Sequence, residues 1–309
     1  MRGYVRRRLL VLAPTVLGVA TVVFLMLHIM PGDPVEVMLG ETASMADRTE
    51  LRAHLGLDRP LLAQYAGFLA GLARGDLGTS IHSRRPVSTI VVERFPSTLT
   101  LTFAAMLVAV AAAIPVGLLS AARPHGLLDR ASLGVSLLGV AIPNFWLGPL
   151  LILVFAVQLG WLPVSGTGSP AHLVLPALTL GLSMAGILTR MTRSTVLEAL
   201  HEDYIRTARA KGATETAIVA KHALANAATP MLSVIGLQFG SLLAGSVITE
   251  TIFAWPGLGR LTVQAIQTRD YPVVQGCVLV IALSYVLVNL ATDLAYAWAN
   301  PRLRAHDDG

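Results

Sequence analysis

Glu202, Asp203, Arg206, Arg209 and Lys211 crowd ten consecutive positions, while the stretches 131–189 and 222–249 on either side contain no charged residue. The chemistry open to such a cluster is ion pairing. Glu202 and Arg206 stand four apart, the order that favours a pair along a helix. Leu197, Leu200, Tyr204 and Ala208 recur at helical spacing on another face. Gly212 is the residue expected just past a helix end. Thr214 can cap a second helix from about Glu215 to Ala228, and Pro230 suits the opening of the next one. A charged helix–Gly–helix hinge, anchored by apolar runs on both sides, can receive a force made elsewhere and pass it on.

Other chemistries find no support. His28 and His172 have no carboxylate or second histidine at metal-ligand spacing, so no metal site is expected. The one cysteine, Cys277, excludes a disulfide framework or a cysteine metal cluster. No Gly-x-Ser-x-Gly string offers a nucleophile. No Gly-x-x-x-x-Gly-Lys-Ser/Thr loop offers a phosphate cradle, and Gly257-Leu-Gly259 lacks the lysine that would have to follow. An enzyme is not expected, nor a cofactor bound by this chain.

The elements that must position the charged loop are membrane spans. Of 309 residues 54% are hydrophobic and 13% charged, against roughly 25% charged in a soluble domain. A bilayer core takes ~20 apolar residues as a helix. Six spans are expected, near 9–30, 98–122, 134–158, 172–190, 230–250 and 274–297, giving an all-α integral membrane protein. With the N-terminus inside, cytoplasmic segments hold 14 Lys and Arg, whereas the short outside loops 159–171 and 250–273 hold only Arg260 and Arg269. That asymmetry places both termini in the cytoplasm. It also accounts for the +5 formal charge without nucleic acid. Leu9–Met30 is too long for a signal-peptide core and reads as a retained span.

The chain divides into 1–30, a tail and first span; 31–97, a small external lobe; 98–297, a five-span core carrying the loop 190–230; and a tail, 298–309. Within the lobe, Asp47–Leu55 and Leu61–Leu72 have helical apolar spacing. Spans two to six contain breakers such as Pro115, Pro143, Pro176, Gly236, Gly240 and Gly245. These suit either helices bent around a pathway or close helix packing. Asn144, Gln238, Ser241, Ser246, Ser284 and Asn289 are uncharged polar candidates for lining that pathway, with interhelical hydrogen bonding as the alternative.

The loop residues also carry a resemblance. Asp203-Tyr-Ile-Arg-Thr-Ala-Arg-Ala-Lys-Gly212, followed by His222-Ala-Leu, Asn226-Ala and Pro230, resembles the signature of ATP-binding-cassette importer permeases. The general form of that signature has Glu-Ala-Ala where this chain has Arg206-Thr-Ala208, so the match is to the peptide branch. Further strings occur in the right order: Pro31-Gly-Asp-Pro34, Leu55-Gly-Leu-Asp-Arg-Pro60, Gly75-Asp-Leu-Gly78, Ile142-Pro-Asn-Phe-Trp146, Phe253-Ala-Trp-Pro-Gly-Leu-Gly259, Arg269-Asp-Tyr-Pro272, and Asn289 to Asp293 with Asn300-Pro-Arg302. Together they resemble the first permease subunit of the dipeptide/oligopeptide/nickel family.

The resemblance implies a subunit of the bacterial inner membrane working with a homologous second permease subunit, two ATPase domains that use ATP and Mg, and an extracytoplasmic solute-binding protein. Asp203, Tyr204, Arg206, Thr207, Ala208, Arg209, Lys211 and Gly212 would form the ATPase-coupling loop, with Gly212 as pivot. Ala208 and Ala210 would be small enough for close approach. Trp255, Pro256, Gly257, Asp270 and Tyr271 would belong to an external loop touching substrate or binding protein; Trp255 and Tyr271 equally suit an interfacial aromatic belt. Di- or oligopeptides are the expected cargo, with glutathione-like or nickel-chelate substrates as alternatives. From other classes, an ion-coupled carrier or channel would need charged relays inside the spans, and a scaffold would tether ATPases without transport.

Overall fold

The computed structural model describes residues 2–29, 35, 39, 44–54 and 58–299. The strings Pro31–Pro34, Leu55–Leu57 and Asn300–Arg302 fall outside them. Among the described residues there is no strand, only an isolated bridge between Thr79 and Pro86. The helices are α1 (Arg2–Ile29), α2 (Met45–His54), α3 (Leu61–Ala73), α4 (Val87–Ala122), α5 (Leu127–Ala141), α6 (Asn144–Gln158), α7 (Ala171–Leu200), α8 (Asp203–Ala210), α9 (Glu215–Gly245), α10 (Val247–Ile252), α11 (Leu258–Gln267) and α12 (Tyr271–Ala299).

Four of these, α4, α7, α9 and α12, are long and apolar enough to cross a bilayer. The pair α5–α6 qualifies only as one broken span, bent by 103°. The apolar part of α1, Leu10–Met26, is shorter. The described residues therefore account for four or five such spans where the sequence suggests six. The bend has a local cause. Pro143 cannot donate a helix hydrogen bond and pushes the residue before it out of the helical region; Ile142 accordingly sits at φ −80°, ψ 118°.

Pro230 does not open a span. It lies inside α9, which runs unbroken from the charged loop through a π-helical stretch at Ile218–Ala223. A π turn inserts one residue into the ladder and lets one helix serve two environments. Of the two lobe helices, α3 is seated on α1: the Tyr65 hydroxyl lies 2.6 Å from Thr21 Oγ1, and Phe24 packs against the rings of Tyr65 and Phe68.

Helix α7 is held closely on two sides by glycines. A Cβ at Gly181 would stand 2.7 Å from the Ala105 carbonyl oxygen, and one at Gly186 would stand 2.5 Å from that of Ser136. A Cβ at Gly117 of α4 would lie 2.6 Å from Thr192 Cβ. In lipid, where apolar tails offer no hydrophobic drive between helices, such close backbone approach supplies the association. The main apolar cluster, with Leu101, Ala105, Ala109, Leu180, Leu188 and Leu242, lies along the α4–α7–α9 contact.

Candidate functional site

The charged loop folds as two helix ends around a tight turn. The apolar periodicity from Leu197 to Ala208 is interrupted: α7 stops at Leu200, His201 caps it, and α8 restarts at Asp203. Helix α8 ends in a Schellman closure. The Ala213 N–H returns to the Ala208 carbonyl (3.2 Å) and the Gly212 N–H to that of Arg209 (2.9 Å), with Gly212 at φ +78°. The Thr214 side chain then caps the next helix by accepting from the Ala217 N–H.

One residue fixes α8 to the bundle. Ile205 is fully buried among Ala121 of α4, Val196 and Ala199 of α7, and Ile218, Val219 and Ala223 of α9. Ala208 packs against the same cluster, so it faces the chain's own core, not outward. Asp203, Arg206, Thr207, Arg209, Ala210, Lys211 and Gly212 are exposed on the opposite side. The expected Glu202–Arg206 pair is replaced by Asp203–Arg206 at 3.7 Å, both solvent-exposed, because Glu202 is the extended N-cap. Arg209 reaches across the hinge with both ends of its guanidinium to Glu215, at 2.8 and 3.2 Å, and that hydrogen bonding raises its pKa. Partial burial pushes the Tyr204 phenol up, against the opposing effect of a hydrogen bond with Asn226.

At the other end of the bundle a carboxylate organises a second loop. Glu250 is fully buried in α10. One of its oxygens accepts from Thr98 Oγ1 (2.8 Å) and Ser246 Oγ (3.0 Å), the other from the Arg260 N–H (3.0 Å). The Thr98 hydroxyl accepts in turn from the Leu258 N–H at 2.8 Å. Trp255 gives its backbone N–H to the Glu250 carbonyl and its indole N–H to the Ser97 carbonyl, each at 2.8 Å. A Cβ at Gly257 would collide with the Glu250 carboxylate, so the loop wraps it at backbone contact. Trp255 is thus 8% exposed with its polar atom bonded inside the fold, which removes it from an aromatic belt.

Asp270 makes a parallel tie. It is buried and accepts from Ser80 Oγ (2.6 Å) and the Ile81 N–H (3.2 Å). Pro272 beside it meets Gly78, so the Gly75–Gly78 and Arg269–Pro272 strings, distant in sequence, are neighbours in space.

Comparison with known proteins matches residues 113–305 to the family described as "Binding-protein-dependent transport system inner membrane component", and residues 1–102 to its N-terminal companion. The chain belongs to that family. This permease is 46% identical over 304 residues to the glutathione transport system permease protein GsiC of Salmonella choleraesuis, covering 98% of this chain and 99% of the relative. The protein of the same name from Escherichia coli K12 is 45% identical over the same length. In fold it is similar to the MetNI methionine ABC transporter in an inward-facing conformation (TM-score 0.58, 22% identity, 68% of this chain and 96% of that one). An amino acid ABC transporter crystallised with histidines is also similar (TM-score 0.52, 18% identity, 70% and 94%). The permease is the membrane subunit of an ABC importer and not an enzyme; ATP hydrolysis sits in a partner subunit.

The polar residues expected along a pathway divide in this permease. Ser246 is fully buried and donates to Glu250, and Ser284 donates to the Val280 carbonyl of its own helix at 2.7 Å. Ser241 is exposed on α9. Asn144 Oδ1, Gln238 Nε2 and Asn289 Oδ1 are buried atoms with no hydrogen-bond partner. Pro256 and Tyr271 are half-buried, while Gly257 is fully enclosed.

Sequence reasoning passed over Ile205, Thr98 and Glu250. A signal existed for Glu250: it is the first charge after the uncharged 222–249 run and stands just before two glycines, Gly257 and Gly259. Ile205 carried none, because the apolar period Leu197, Leu200, Tyr204, Ala208 runs beside it.

Proposed function

We propose that this permease moves short peptides, glutathione among them, from an extracytoplasmic binding protein into the cytoplasm, paired with a homologous second permease subunit. Two ATPase domains using ATP and Mg would supply the drive through α8. The observation that carries the reading is the two-sided character of α8. Ile205 seats it on the ends of α4, α7 and α9, and its opposite face presents Arg206, Arg209 and Lys211. A body docked on that exposed face cannot displace α8 without displacing the helix ends beneath it. In this orientation both termini and α8 are cytoplasmic, in line with the Lys and Arg excess there. The Glu250 loop and the α2–α3 lobe then face outward.

The relatives named for glutathione transport favour a short, charged peptide over bare metal, and glutathione is itself a tripeptide. Among the described residues no group of three or more His, Cys, Asp or Glu is placed to hold a metal ion. The test is uptake by proteoliposomes holding the assembled complex, with labelled glutathione and labelled dipeptides supplied outside on the binding protein. ATP-dependent accumulation of either supports the reading and ranks the cargo. Uptake driven by an ion gradient and indifferent to internal ATP overturns it.

A further inference from the structure

Asp129 and Arg193 form an ion pair outside both loops described above. The guanidinium meets the carboxylate in two places, Nε to Oδ1 at 2.5 Å and Nη2 to Oδ2 at 2.8 Å. Asp129 is 2% exposed. Its oxygens also accept from Ser120 Oγ at the end of α4 and from the His125 N–H at 2.8 Å. Ser132 closes the group, donating to the Asp129 carbonyl at 2.9 Å and lying 3.1 Å from the Ser120 hydroxyl. His125 is held at φ +65°, a conformation unusual for a side-chain-bearing residue. Helices α4, α5 and α7 and the α4–α5 turn thus converge on one carboxylate.

The position of the pair matters as much as its bonds. Along α5 and α7, Gly139 faces the Leu182 carbonyl, the Ser136 carbonyl faces Gly186, and Asp129 meets Arg193. These contacts keep one antiparallel register, a seam closed by backbone approach in the bilayer and by the ion pair at its end. Seven residues beyond Arg193, α7 ends at Leu200, and Val196 and Ala199 between them form the seat of Ile205. At the far end of α5 the bend leads into α6, where a Cβ at Gly148 would stand 3.2 Å from the ring of Phe253 in the Glu250 loop.

We propose that Asp129–Arg193 is a coupling clamp: it makes α5 follow α7, so that displacement of α8 is carried through the bent α5–α6 pair to the opposite loop. Asp129 and Arg193 are positioning residues that touch neither cargo nor nucleotide. A buried pair of this kind contributes little net stability over an apolar replacement of similar volume, but it fixes geometry. The proposal rests on α8 being the ATPase docking point.

The experiment measures substrate transported per ATP hydrolysed in purified, reconstituted complexes. The variants are Asp129→Leu/Arg193→Met, which keeps volume without leaving a buried charge, Arg193→Lys, which keeps charge without the double contact, and Asp129→Cys/Arg193→Cys. The apolar pair is expected to assemble with the ATPase subunits and hydrolyse ATP, with transport per ATP at least fivefold lower; Arg193→Lys should fall between it and wild type. Bridging the two cysteines with a short bifunctional thiol reagent should restore the ratio at least threefold, an effect a purely structural role would not give. An unchanged ratio in the apolar pair, a failure of every variant to assemble, or no recovery on bridging overturns the clamp. A wild-type complex that shows no ATP-driven uptake removes the importer reading itself, whereas a coupled wild type with equally coupled variants removes only the clamp.

Discussion

The side chains of Glu250 and Thr98, 152 positions apart, meet at 2.8 Å inside the protein, and that contact helps join the segment after α9 to the first third of the longest helix. Thr98 both donates to Glu250 and accepts from the Leu258 N–H. Replacing it with an isostere that has no hydroxyl therefore strands the Leu258 N–H and leaves that Glu250 oxygen with Ser246 alone. A buried donor or acceptor left unpaired costs about 1–3 kcal/mol. Thr98→Val should lower the thermal midpoint of the purified protein and open the 253–260 loop to protease, while Thr98→Ser should stay close to wild type. Scanning fluorimetry and limited proteolysis read both.

Gly212 offers a cleaner separation of shape from space. Nothing lies within 4 Å of a Cβ built there, yet its φ is +78°. Gly212→Ala should therefore cost only the left-handed backbone penalty, about 1–2 kcal/mol. Gly212→Pro, whose ring fixes φ near −65°, cannot close the turn at all. ATP-driven uptake should be reduced in the first and abolished in the second, with Gly212→Asn near wild type. Full uptake by Gly212→Pro would show that the hinge is dispensable.

Ile205 and the cations beside it should fail in different ways. Ile205→Ala leaves a cavity under α8, a loss of about 2–5 kcal/mol at that seat, and should weaken transport even where ATPase subunits still bind. Arg206→Glu with Lys211→Glu leaves the seat intact, so the melting temperature should not move, but co-purification of the ATPase subunits should fall. Pull-down and uptake measured on the same preparations distinguish the two.

Among the glycines of α9, Gly236 and Gly245 should respond oppositely. A Cβ at Gly236 would overlap Thr292 of α12, whereas nothing lies within 4 Å of one at Gly245. Overpacking of this kind typically costs about 1–3 kcal/mol. Gly236→Ala should destabilise and be partly rescued by Thr292→Ala, which removes the two nearest atoms but not Thr292 Cβ. Gly245→Ala should be silent. Thermal unfolding of the single and double variants gives the coupling directly.

Much of the permease was legible as one-dimensional pattern. Uncharged runs marked the apolar helices because a bilayer tolerates few charges, and Gly212 and Thr214 marked the hinge because backbone conformation and capping are local properties. The motif strings identified the family for the same reason: they are short and contiguous. What spacing could not supply was the partner of any residue. Tyr204 and Ile205 are neighbours that could each supply an apolar face, and only the packing of α4, α7 and α9 decides that Ile205 is the one fully buried.

The same limit divides the polar residues. Ser246 and Gln238 look alike as uncharged groups in one apolar run, yet Ser246 is bonded to Glu250 and Gln238 Nε2 has no partner. Glu250 with Thr98, and Asp129 with Arg193, are pairs that no local pattern announces, because the partners stand 152 and 64 positions apart. By itself the sequence determined the membrane class, the family and the hinge. Tertiary structure decided which charges are exposed and which are internal ties, since burial and hydrogen bonding depend on what the fold brings alongside.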